Sequence, residues 1–313
     1  MKKLISAALA ASFACVAFAG CGSNAASSSA APASAAPAAT AAPAATDLSG
    51  KVTTGGSTSM EKVIGALQEA FMEQNSGVDV TYDPTGSGAG ITGAQEGSLD
   101  IGLSSRALKD GETGVSATVI ALDGIGIIVN NANTVEDLTT DQIAAIATGE
   151  VTNWKEVGGP DAEIVMIGRE AGSGTRDGFE SILKVSDQCK YAQELTATGA
   201  VIAAVQANEN AIGYASLAAL DDSVKALKVN GIACTEETVK DGSYTVQRPF
   251  VFVTKDGAEQ TPAVKAFIDF AASADAASLI SNAGAVPVAQ TNLFDRAALK
   301  QKGRSILKLG EKV

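Results

Sequence analysis

Four short segments of the sequence carry one chemistry: hydroxyl side chains among small residues, each after a strand pattern. The first is Gly55-Gly56-Ser57-Thr58-Ser59-Met60, where a helical pattern begins. Helix N-termini leave N–H groups without intrahelical partners and carry partial positive charge. Hydroxyls there add donors to a region that already favours anions, although a plain N-cap has the same composition. The second, Thr85-Gly86-Ser87-Gly88-Ala89-Gly90, is by itself equally the composition of a flexible turn. The third, Asp100-Ile101-Gly102-Leu103-Ser104-Ser105-Arg106, delivers two hydroxyls and a guanidinium to one loop. Arg106 has a structural alternative, pairing with an acidic residue.

The fourth segment is the most specific: Arg169-Glu170-Ala171-Gly172-Ser173-Gly174-Thr175-Arg176-Asp177-Gly178. It follows a strand pattern and opens a helix. Gly172 and Gly174 expose backbone, Ser173 and Thr175 supply hydroxyls, and Arg169 suits bidentate contact with an oxyanion. This is the composition of an anion site. It is not a P-loop, because no Gly-Lys-Ser/Thr follows at the required spacing. Four donor-rich segments together point to one small tetrahedral oxyanion, which needs directed donors around four oxygens.

Composition narrows the chemistry further. The chain has no histidine, which excludes Ser-His-Asp and Cys-His catalysis and mixed histidine zinc sites. No metal and no cofactor is expected. The formal net charge of −12 argues against nucleic acid, which needs clustered Lys and Arg. It also means that local dipoles, not a basic surface, must hold any anion. A serine hydrolase built on a Ser-Lys pair is the alternative from another functional class. Of four cysteines, Cys189 and Cys234 lie in the folded part without a scaffold pattern, so a disulfide and two free thiols are both open.

The elements that must position these segments read as α/β with mainly parallel strands. Strands are expected at 51–54, 78–82, 99–103, 163–168 and 211–214. Helices are expected over 58–74, where Met60, Val63, Ile64, Leu67, Ala70 and Phe71 form a stripe, and over 90–97, 174–183 and 262–272. Thr140-Asp141 should cap a helix carrying Ile143 and Ile146, and 293–309 is helical in pattern. Two apolar runs, near 124–130 and 248–254, read as hinge strands between lobes. Lobe 1 takes residues 48–123 plus 255–313, and lobe 2 takes 131–247, with the site in the cleft where strand ends meet helix N-termini.

Ahead of these, residues 1–20 read as an export signal: Lys2 and Lys3, then an apolar run too short for a comfortable membrane span. It ends on Phe18-Ala19-Gly20-Cys21, similar to a bacterial lipobox in which Cys21 carries lipid. Residues 22–46 contain only Gly, Ser, Asn, Ala, Pro and Thr, too little apolar surface to offset ordering entropy. Residues 21–47 are therefore expected to be a disordered tether spanning about 25–30 Å.

The lipobox, Gly56-Ser57-Thr58-Ser59, Gly86-Ser87-Gly88, Asp100-to-Arg106 and Arg169-to-Asp177 together resemble the phosphate-binding subunit of the high-affinity phosphate ABC importer, the PstS family. The resemblance implies a type II periplasmic-binding-protein fold closing on inorganic phosphate, and a non-enzymatic monomer. It also implies delivery to ABC permease subunits from the outer face of the membrane, to which the lipid on Cys21 would hold it. It assigns phosphate contacts to Thr58, Ser59, Ser87, Arg169, Ser173, Gly174 and Thr175. One departure stands out: Ser105 occupies a position where familiar members carry an aspartate that accepts the proton of hydrogen phosphate and so rejects sulfate. A serine hydroxyl both donates and accepts. Asp123, at the edge of the first crossing strand, is the candidate replacement acceptor, with a turn-capping role beside Gly124 as its alternative. The same fold binding sulfate or molybdate is the nearest competing expectation.

Overall fold

The structure, a computed structural model, describes residues 48–288. The expected signal, Cys21, its tether and the helical stretch at 293–309 lie outside the described residues.

Strand β1 (Ser49–Gly56) leads through a single 3-10 turn at Thr58–Met60 into α1 (Glu61–Gln74). The expected stripe on that helix is buried except for half-buried Ala70. Then come β2 (Gly77–Asp83), α2 (Ser87–Glu96), β3 (Ile101–Ser104) and the long β4 (Val115–Val129). The next stretch holds β5 (Asp137–Leu138), α3 (Thr140–Thr148), β6 (Val165–Arg169), α4 (Gly174–Ile182), β7 (Gln193–Leu195), α5 (Thr198–Gln206) and β8 (Ala211–Ser216). Short β9 (Lys225–Ala226), β10 (Lys228–Val229) and α6 (Glu236–Lys240) precede β11 (Gln247–Lys255), and α7 (Pro262–Ala271), α8 (Ala277–Asn282) and β12 (Val286–Pro287) follow it.

The sheet runs β2-β1-β3-β11-β4-β8-β6-β7. Pairing is parallel within each wing, among β1, β2 and β3 and among β6, β7 and β8. It is antiparallel at the junction, where β4 meets β8 and β11. The expected mainly parallel sheet therefore holds in the wings and gives way where two crossing strands run side by side. One core gathers Val52, Leu67, Phe71, Phe252 and Phe267; burying each such side chain contributes about 1.5–3 kcal/mol. A second gathers Ile127, Trp154, Phe179, Ile212 and Tyr214. Along β4 the first core ends at Ala121 and the second begins at Ile125. On the approach to β11 the second ends at Val246 and the first resumes at Phe250.

Two boundaries differ from the sequence reading in ways that matter for the site. Helix α2 starts at Ser87, three residues earlier than expected, so Ser87 lies at a helix N-terminus. The helix can approach the sheet because it is built of small residues: a Cβ on Gly90 would meet the Leu103 carbonyl oxygen at 2.8 Å. The cap of α3 is Thr139 rather than Thr140. Its hydroxyl accepts the Gln142 N–H at 3.1 Å while the Gln142 side chain returns to the Thr139 N–H, a reciprocal cap whose loss costs about 1 kcal/mol. Cys189 and Cys234 are free thiols. Burial pushes them up to about 11 and about 12, so both are unreactive at neutral pH.

Candidate functional site

Five strands, parallel within each wing, end at one place. The carboxyl ends of β1, β2 and β3 deliver Thr58 and Ser59, Ser87, and Ser105; those of β6 and β7 deliver Arg169, Ser173–Thr175 and Thr198. All of these side chains are buried. Helices α2, α4 and α5 start here, so three N-termini bring unpaired N–H groups and partial positive charge to the same spot.

The two wings touch through hydroxyls. Thr58 Oγ1 lies 2.9 Å from Thr198 Oγ1, and Ser59 Oγ lies 2.7 Å from Thr175 Oγ1. The Gly88 N–H donates to the Gly172 carbonyl at 2.9 Å. Gly174 closes against the first wing so tightly that a Cβ there would stand 2.4 Å from Ser87 Oγ and 2.6 Å from Ser105 Oγ. Ser173 caps α4, accepting the Arg176 N–H. Beside Thr58, Ser59 and Thr198 runs a groove of about 470 Å³, with Lys62, Ile202 and Gln206 also on its walls.

Besides Ser173, four more hydroxyl oxygens already accept an N–H from the chain. Ser87 Oγ accepts from the Ser105 amide, Thr58 Oγ1 from the Thr198 amide, Thr198 Oγ1 from Arg169 Nη1, and Ser105 Oγ from Arg248 Nη1. A hydroxyl whose oxygen is so engaged keeps its own proton to donate. The arrangement is therefore a donor-rich wall on both sides.

Arg169 stands at the centre. Its Nε donates to the Leu195 carbonyl at 3.0 Å, Nη2 to the Thr196 carbonyl at 2.8 Å and Nη1 to Thr198 at 3.1 Å. It is almost fully buried, yet it enters none of the ion pairs among the described residues. Burial lowers its pKa, but a guanidinium remains charged in proteins. A desolvated cation without a counter-charge is unfavourable unless an anion joins it.

Asp123 has other partners than the sequence reading gave it. Its Oδ2 accepts from Arg248 Nη2 at 3.1 Å and Nε at 3.2 Å; its Oδ1 accepts from the Ser216 hydroxyl at 2.7 Å and the Ala218 amide at 3.4 Å. Both oxygens are thus engaged, which argues against the expectation that Asp123 accepts a ligand's proton. Burial pushes its carboxyl up, against the opposing pull of Arg248. Arg106, offered as either ligand or structural residue, is structural: Glu112 holds it by two bonds of 2.7 and 2.6 Å, and Asp177 lies 2.7 Å from its Nε.

Sequence reasoning missed Thr198 and Arg248. Thr198 follows a strand of only three residues, Gln-Glu-Leu, which has no apolar signature. The stripe Val201, Ile202, Val205 was the available sign of its helix. Arg248 was visible as a charge inside a buried apolar strand, an uncommon placement that signals a partner.

Residues 33–275 match the PBP superfamily domain. The chain is 32% identical to the phosphate-binding protein PstS of Bacillus subtilis, covering 81% of this chain and 86% of that one. It is 31% identical to the PstS of Borreliella burgdorferi, covering 74% and 88%. The chain belongs to the PstS family of phosphate ABC transporter substrate-binding proteins. A structural relative in this family, a putative phosphate ABC transporter substrate-binding protein with bound phosphate from Clostridium perfringens, superposes with a TM-score of 0.72. It is 41% identical, over 76% of this chain and 100% of that one. The α/β wings joined by β4 and β11 are the type II periplasmic-binding-protein fold of the PstS family.

Proposed function

We propose that this chain binds inorganic phosphate outside the cytoplasm and hands it to an ABC importer. The observation that carries this reading is Arg169: a buried guanidinium with no carboxylate partner among the described residues, ringed by hydroxyls from both wings. A tetrahedral anion at its free edge takes donors from Thr58, Ser59, Ser87, Ser105, Ser173 and Thr175, and backbone N–H groups at Gly174 and Ser59. Hydroxyls that face one another across the cleft rotate toward the anion. Because the anion touches both wings, it binds the arrangement that brings them together more tightly than any other, and so draws the wings closed. The lobes are residues 48–123 plus 255–313 and 131–247, with bending at 124–130 and 248–254; the core changes over at the start of each of these segments, between Ala121 and Ile125 and between Val246 and Phe250.

The remaining parts of the reading concern the whole chain. It acts as a monomer without catalysing a reaction, Cys21 carries the lipid once residues 1–20 are removed, and 21–47 forms the tether. No helix among the described residues is long and apolar enough to cross a membrane. Calorimetry of the purified protein with phosphate, arsenate, sulfate and molybdate tests the ligand. Stoichiometric phosphate binding, without hydrolysis of a phosphomonoester, is expected. Tighter binding of sulfate or molybdate, or turnover of the ester, would overturn the reading.

A further inference from the structure

Arg248 and Asp123 face each other on the two crossing strands, directly opposite in antiparallel register. Their side chains are 2% and 0% exposed. If the pair served only to join β4 to β11, it would be a costly choice, since well-packed apolar residues often do that as well or better. Arg248 also has a nitrogen that Asp123 does not use. Its Nη1 reaches Ser105 Oγ at 3.1 Å, and Ser105 Oγ lies 3.2 Å from Ser87 Oγ and against Gly174. The positive charge is therefore one hydroxyl away from the anion site, and the negative charge one step further.

We propose that this pair sets the charge felt by the anion: Arg248 is a second cationic positioning residue acting through Ser105, and Asp123 limits how much of that charge reaches the site. The proposal rests on the oxyanion reading above and adds to it a determinant of anion charge preference. The buried groups here are two guanidiniums, Arg169 and Arg248, and one carboxylate. The two cations are close enough for Arg248 to depress the pKa of Arg169 further. Arg248 also fixes Ser105, because the oxygen that accepts its N–H turns the serine proton outward as a donor.

The consequence is an ordering that a merely structural pair would not give. Asp123→Asn uncovers the Arg248 charge and strengthens binding of a divalent oxyanion. Arg248→Met leaves Asp123 without its cation and weakens binding most, increasingly so as pH rises, because burial pushes the Asp123 carboxyl up and only its ionised form repels the anion. The double variant loses both charges and falls between wild type and Arg248→Met, since Ser105 is no longer held. Calorimetry of the full chain with phosphate at a pH where the dianion dominates should show steps of several-fold to about tenfold between these proteins.

Asp123→Asn leaves a buried guanidinium unpaired and is at risk of not folding. In that event the double variant against Arg248→Met decides: tighter binding by the double variant supports the proposal, and equal or weaker binding overturns it. If all three variants bind more weakly than wild type, with the double variant no better than Arg248→Met, the pair is structural and the oxyanion reading survives. A wild-type protein that binds no tetrahedral oxyanion sinks both.

Discussion

The floor and the rim of the cleft both hold cations, in opposite styles: the rim pairs them with the other wing, and the floor holds its cation by neutral groups of its own wing. At the rim, Arg106 and Lys109 of the first wing meet Asp177 of the second at 2.7 and 2.9 Å, with Glu112 gripping Arg106. Against burial, Glu112 and Asp177 hold the Arg106 pKa above its ordinary value, and Arg106 holds the Glu112 carboxyl below its usual range. At the floor, Arg169 has carbonyls and one hydroxyl, and its pKa is depressed by burial. A completed ion pair fixes geometry and asks for nothing more. A buried cation satisfied only by neutral dipoles still favours an anion, and that difference separates a clasp from a binding site.

The comparison breaks first at Arg169. Arg169→Ala should weaken phosphate binding about a hundredfold, the loss expected for charge-assisted bonds to a desolvated anion; wild-type affinity in calorimetry would remove Arg169 from the site. Gly174→Ala comes next. Its Cβ would push Ser87 and Ser105 aside, so affinity should fall about tenfold, with a destabilisation of about 1–3 kcal/mol in denaturant unfolding.

Thr198→Val removes the hydroxyl that links Arg169 to Thr58 and should cost about 1 kcal/mol of binding, roughly fivefold. An unchanged affinity would place Thr198 outside the donor set. The rim should matter least. Asp177→Asn should speed phosphate release about two- to threefold in stopped flow, mainly at low salt, because partly exposed ion pairs are weak and screened. An effect larger than that of Arg169→Ala would reverse the assignment of floor and rim.

How much of this was legible in the sequence follows from the range of each interaction. The donor segments were readable because a helix N-terminus with Ser, Thr and Gly is a local pattern, and Gly172-Ser173-Gly174-Thr175 says the same thing in one dimension and in three. The wings and crossing strands were readable from apolar runs. The partners of Asp123 were not. Arg248 lies opposite it only because two distant strands pair in one register, and Ser216 reaches it from a third strand. The start of α2 at Ser87 was hidden because Gly88 and Gly90 look like turn residues, whereas in the fold small residues there allow the helix to press on β1 and β3. Thr198 escaped because β7 is too short and too polar to announce the helix after it.

The most direct test is a crystal structure of the protein grown with phosphate. The account predicts one tetrahedral anion within hydrogen-bond reach of Arg169, with Thr58, Ser59 and Ser87 from one wing and Ser173, Gly174 and Thr175 from the other turned toward it. Phosphate seated elsewhere, with Arg169 still bonded only to Leu195, Thr196 and Thr198, would contradict it.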